Sequence, residues 1–98
     1  MKNAFGTEDK LPATSISFGL YPNPAENKLK IEFSDNLQAD ADIRIYDLQG
    51  AIKKTYKVAM GESEFSIEDI GLKSGIYVVR VSSGGKDLGF TKLIITGE

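Results

Sequence analysis

The sequence predicts an all-β fold: an antiparallel β-sandwich of immunoglobulin-like type, with about seven strands and no long helix. Three observations predict it. Apolar residues recur with period two at Ile16, Phe18 and Leu20, at Leu29, Ile31 and Phe33, and at Ala41, Ile43 and Ile45. That is the strand period, because successive side chains point to opposite faces of a sheet. Such segments repeat at roughly ten-residue spacing between turn signals, as in a sandwich. Leu, Ile, Val and Phe supply 27 of the 98 residues, above the level of about 20% at which disorder becomes the default. The chain can therefore form a packed core, and its length suits one domain.

The elements come in order along the chain. Residues 1–15 mix Gly6, Pro12, Thr14 and Ser15 with charges and show no periodicity, which predicts a flexible linker ahead of a domain spanning 16–98. The first strand is expected at Ile16 to Leu20. In the second, Leu29 to Phe33, the opposite face carries Lys28, Lys30 and Glu32, so only one side can be buried. The third strand, Ala41 to Ile45, runs into Asp47-Leu48-Gln49-Gly50. Asp at the first and Gly at the fourth position signal a type I turn, which pairs the third strand with the fourth, Ile52 to Val58. Lys53, Lys54 and Lys57 in that fourth strand suit an edge, where charge discourages pairing with other sheets. A fifth strand is expected at Glu64 to Ile67. The sixth, Gly75 to Ser82, is apolar on both faces through Ile76, Tyr77, Val78, Val79 and Val81, which predicts a mid-sheet strand covered on two sides. Ser83-Gly84-Gly85-Lys86 places glycine at both central positions of a tight hairpin and leads to the seventh strand, Leu88 to Ile95.

Composition excludes several functions. Cysteine, histidine and tryptophan are absent, which removes disulfides, thiolate and imidazole metal sites and every Ser-His or Cys-His mechanism. A net charge of −2 offers no basic patch for nucleic acid. The longest apolar run, Ile76-Tyr77-Val78-Val79, falls far short of the ~20 residues of a membrane-spanning helix, so no membrane insertion is expected. The N-terminus lacks the apolar stretch of a secretory leader. Asp40/Asp42, Glu62/Glu64 and Glu68-Asp69 could be paired acids, but nothing in the sequence fixes their separation. Asp40 to Ile45 also lacks the glycine and third acid of a calcium loop. Lys73-Ser74 is sequence adjacency, which does not make a dyad. No catalytic residue, metal or cofactor is expected.

The tyrosines raise one alternative, a sugar-stacking platform of the kind carried by accessory modules. Their placement argues otherwise. Tyr77 continues the apolar set of Val79 and Val81, so it is expected in the core with its hydroxyl on a backbone partner. Tyr46 and Tyr56 are expected as a cross-strand pair on the outer face of their hairpin.

The most sharply specified stretch is Tyr21-Pro22-Asn23-Pro24-Ala25-Glu26-Asn27. Two prolines fix φ twice, remove two donors and push Tyr21 and Asn23 toward extended geometry. A rigid corner must result, with Asn27 suited to a left-handed position.

At these residues the sequence resembles the type A C-terminal sorting domain of the type IX (Por) secretion system, found on exported proteins of Bacteroidetes. Three motifs carry the resemblance, in order. Tyr21-Pro22-Asn23-Pro24 opens the domain, and Ile43-Arg44-Ile45-Tyr46-Asp47-Leu48-Gln49-Gly50 lies in the middle. Leu72-Lys73-Ser74-Gly75-Ile76-Tyr77-Val78-Val79-Arg80-Val81, followed by Lys92-Leu93-Ile94-Ile95, closes it. One departure is Asn27, where the family usually has glycine. The resemblance implies a non-catalytic address. Its signal residues would be Tyr21, Pro22, Asn23, Pro24, Gly50, Gly75, Tyr77, Lys92, Leu93 and Ile95, and its partners an N-terminal cargo domain, the outer-membrane translocon and a sortase. The protein would be exported, with the periplasm in transit and the outer-membrane surface or the medium as destination. Cleavage would fall in or before residues 1–15, and in several systems of the family the tail is exchanged for a lipopolysaccharide anchor. The last two strands are expected to offer a surface or edge for strand addition. An accessory carbohydrate-binding or fibronectin-like spacer module is the alternative.

Overall fold

The computed structural model describes residues 16–96; the linker expected over residues 1–15 lies outside the described residues. Seven strands succeed one another: β1 (Phe18–Tyr21), β2 (Leu29–Phe33), β3 (Ala41–Tyr46), β4 (Ile52–Val58), β5 (Glu64–Ile67), β6 (Gly75–Ser83) and β7 (Lys86–Ile95). They form two antiparallel sheets, of order β1-β2-β5 and β4-β3-β6-β7, and no helix occurs among the described residues. The arrangement is that of an immunoglobulin-like sandwich.

Alternation decides what lies between the sheets. Leu29, Ile31 and Phe33 on β2 and Ile67 on β5 face Ala41, Ile43 and Ile45 on β3 and Tyr77, Val79 and Val81 on β6, all buried. Leu93 and Ile95 extend this core along β7, while Leu37, Ile70 and Ala25 plug its ends from loops. Every buried residue described is apolar or Tyr77. Each large side chain so placed is worth about 1.5–3 kcal/mol relative to exposure, which fixes the register, since a slip of one residue would turn the whole set to solvent.

The two expected hairpins form. In the β3–β4 turn the Gly50 amide donates to the Asp47 carbonyl at 3.0 Å, and Asp47 Oδ1 accepts from the Gln49 and Ala51 amides at 2.9 Å each. Gly50 has φ +90°, a conformation that costs any residue with a Cβ. In the β6–β7 turn Gly84 and Gly85 have φ +58° and +82°, with Ser83 opposite Lys86. Two positive φ values give a primed turn whose twist matches the strands, and β7 therefore begins at Lys86 rather than Leu88.

Two expectations are corrected. β6 does lie mid-sheet, but it is covered on one face only: Ile76 is 45% exposed and Val78 is half-buried. The second layer packs against one side of this sheet, and nothing among the described residues covers the other. Tyr46 and Tyr56 are not a pair. Tyr56 lies opposite Ile43 and Tyr46 opposite Ile52, so Tyr56 turns inward, where its ring meets Phe65 at 5.8 Å. A shift of register between Ile45 and Tyr46 inserts an extra residue on β4 and reverses its alternation, leaving Ile52 exposed.

Candidate functional site

The corner between β1 and β2 is held by hydrogen bonds to the end of β7. Both the Tyr21–Pro22 and Asn23–Pro24 peptide bonds are cis, and Tyr21, Pro22, Asn23 and Pro24 are all exposed. The next residue is the anchor: Ala25 is fully buried, its amide donates to the Ile94 carbonyl at 2.8 Å, and its carbonyl accepts from the Thr96 amide at 2.7 Å. This is a short parallel bridge between Ala25 and Ile95. Asn23 extends it with its side chain. Nδ2 donates to the Lys92 carbonyl at 2.8 Å, and Oδ1 accepts from the Ile94 amide at 3.0 Å. The first motif of the sequence is thus joined to the last.

Asn27 completes the corner from its other side. Its carbonyl accepts from the Ile70 amide at 2.8 Å and its Oδ1 from the Gly71 amide at 3.1 Å. The residue ties the β1–β2 corner to the link between β5 and β6.

That link carries the third group of residues. Tyr77 is 7% exposed, and its hydroxyl donates to the Lys73 carbonyl at 2.7 Å. A buried tyrosine near the start of this strand, bonded to backbone a few residues upstream, is the corner that stabilises immunoglobulin-like sandwiches. Its ring lies over Gly75, where an added Cβ would stand 3.7 Å from the ring. That is ordinary van der Waals contact, so no close approach demands glycine at 75. Asp47, Lys53, Gly71, Leu72, Lys73 and Tyr77 line an open cleft of about 350 Å³ beside this link.

Registers place these groups at one end of the sandwich. Tyr46, just before the Gly50 turn, lies opposite Val78, and Val78 lies opposite Lys92. The Gly50 turn, the start of β6, the end of β7 and the Tyr21–Ala25 corner therefore share an end. Leu93 and Ile95 serve the core there, fully or almost fully buried, while Lys92 is exposed.

The edge expected to be offered by β7 is partly taken. Ile94 turns both amide and carbonyl outward, and Asn23 and Ala25 occupy them. Antiparallel alternation turns the groups of Phe90 outward as well, and its ring is 65% exposed. Arg80 lies over that ring at 5.4 Å and pairs with Asp87 at 2.9 Å. The Arg80 guanidinium and then the Gly89 amide hold the Asp87 carboxyl below the usual carboxylate range.

The acids are dispersed. Asp42 pairs with Lys57, Glu64 with Lys30 and Glu68 with Lys28, while Asp40 accepts from the Met60 amide. No group of three or more potential ligands that could hold a metal occurs among the described residues. The tyrosines form no common platform, since Tyr56 and Tyr77 turn inward and Tyr21 lies under Lys30, 5.9 Å from the ammonium to the ring. Hydrogen bonding to the Glu32 carboxylate, then desolvation and the charges of Glu32 and Glu64, push the Tyr21 hydroxyl up to about 12.

These features define a small immunoglobulin-like module whose distinctive groups are turns and strand edges. The family described as secretion system C-terminal sorting domain matches residues 19–96, and the chain belongs to that family. It is a C-terminal sorting signal for type IX secretion, and the protein that carries it is exported. A comparison with curated proteins found no match.

Proposed function

We infer that the end of the sandwich built from the Tyr21–Ala25 corner and the Lys92–Thr96 stretch is what the outer-membrane translocon reads. One observation carries this: Asn23 bonds Lys92 and Ile94, so motifs at opposite ends of the domain meet on one surface. Tyr21, Pro22, Asn23, Pro24 and Lys92 present that surface. Gly50, Gly75, Tyr77, Leu93 and Ile95 build the end that carries it. The domain acts as an address and catalyses nothing itself. Its cargo, on the N-terminal side, reaches the periplasm first and is then passed across the outer membrane. A sortase removes the tail in or before residues 1–15 and exchanges it for a lipopolysaccharide anchor that holds the cargo on the cell surface, or releases the cargo into the medium.

Residues 1–98 fused behind a leader peptide and a fluorescent reporter test the reading, in hosts with and without the translocon. The reporter is expected outside the cell only when the translocon is present. Periplasmic retention in both hosts overturns the reading. Deleting Lys92 to Glu98 is a poor test, because it removes Leu93 and Ile95 from the core. Lys92→Glu changes an exposed side chain instead, and it is expected to reduce export while leaving the fold intact.

A further inference from the structure

Strand edges present rows of backbone donors and acceptors, and an edge left open accepts another chain. The end of β7 is treated unusually in this respect. The Lys92 carbonyl, both polar groups of Ile94 and the Thr96 amide are each paired, though no full strand lies beside them. Ala25 supplies two of these partners through its backbone. Asn23 supplies the other two through its side chain, because a carboxamide offers one N–H and one C=O, the same pair that a strand residue presents.

We propose that Asn23 is an edge lock: its carboxamide stands in for a strand residue and keeps the outer edge of β7 closed from Lys92 to Ile94 against an extended peptide strand. The partner chemistry is set by the present occupant. A ladder that accepts the backbone of Ala25 and the carboxamide of Asn23 is shaped for a peptide in extended geometry. Above the lock, the outward groups of Phe90 continue the same edge, beside an exposed ring that an incoming strand would cover.

The lock is built to open. Asn23 is exposed, so water competes for its bonds and their net worth is small. Ala25, by contrast, is buried and doubly bonded. Release at Asn23 leaves the corner tethered at Ala25 and frees the Lys92 carbonyl and the Ile94 amide. This deepens the reading of the chain as a sorting tail and, as regulation of the translocon's access, rests on it.

The test uses the chain of residues 1–98 and its Asn23→Ala variant. Amide exchange is read at Ile94, whose N–H meets Asn23, and at Leu93, whose backbone the alternation of β7 turns toward β6. Exchange at Ile94 is expected to quicken about five- to tenfold in the variant, the loss of one net hydrogen bond, with Leu93 unchanged. A synthetic peptide copying residues 90–96 is then offered to both chains. Binding to the variant is expected to be at least about fivefold tighter, with shifts confined to Phe90, Lys92 and Ile94. Unchanged Ile94 exchange overturns the lock, as does equal acceleration at Leu93, which would make Asn23 a general structural residue. Equal peptide binding by both chains, or none by either, also overturns it. None of these readouts depends on export, so a failure of the sorting reading, seen with the wild-type fusion, is distinguishable.

Discussion

Tyr77 lies across Gly75, with its ring 3.7 Å from where a Cβ on that glycine would stand and its hydroxyl on the Lys73 carbonyl at 2.7 Å. The strand β6 thereby braces the link that precedes it. The bond is largely shielded from water, so it is worth more than a surface bond of the same length.

Tyr77→Phe keeps the ring and deletes the donor, leaving the Lys73 carbonyl unpaired. We expect a loss of about 1 kcal/mol in urea unfolding, or about 4–8 °C in melting temperature. An unchanged midpoint would mean that water takes over the carbonyl at no cost.

Gly50 and Gly75 should respond in opposite ways to alanine. Gly50→Ala forces a Cβ into φ +90° and is expected to cost about 1–2 kcal/mol. At Gly75 the space is ordinary and a strand glycine is entropically unfavourable, so alanine is expected to stabilise by about 0.5 kcal/mol. Thermal unfolding of the two variants checks the contrast. Export of the stable Gly75→Ala fusion is expected to stay normal, because Gly75 supports the end of the sandwich and does not present its surface; reduced export would place Gly75 in the signal itself.

Ile43 is fully buried at the centre of the four-stranded sheet. Ile43→Ala should cost about 2–5 kcal/mol through lost burial and the cavity left behind. Against a total stability of about 5–15 kcal/mol, that is enough to unfold a large share of molecules near the melting temperature. Equilibrium denaturation measures it.

Tyr21 should be a late-titrating tyrosine, because Glu32 favours its neutral form and holds it up to about 12. Its folded value lies above the ordinary value of about 10, so the folded state binds the extra proton between the two. The associated stability is fully present below about pH 10 and is lost as pH rises through about 12. Phenolate absorbance during alkaline titration checks this, and Glu32→Gln is expected to bring Tyr21 back toward the ordinary range.

The strands were legible because period two is a local property: each of the segments from Leu29 to Phe33 or Ala41 to Ile45 states which face is greasy. The hairpins were legible for the same reason. Asp47 and Gly50, or Gly84 and Gly85, act within four residues of one another. The order of the motifs carried the family resemblance, which needs no geometry.

What the sequence could not supply depended on contacts between distant residues. The extra residue in β4 reverses which way Ile52 and Tyr56 face, and no residue type marks it. Two-sided coverage of β6 was a fair reading of Ile76 and Val78, but only the number of layers decides whether a second face is covered. Asn23 shows the division most clearly. Its position between two prolines announced a corner, while its role as partner to Lys92 and Ile94, 69 and 71 residues away, exists only once two sheets have closed on a shared core. Local spacing set strands, turns and family; the burial of Ala25, Leu93 and Ile95 brought the ends together and made one surface of them.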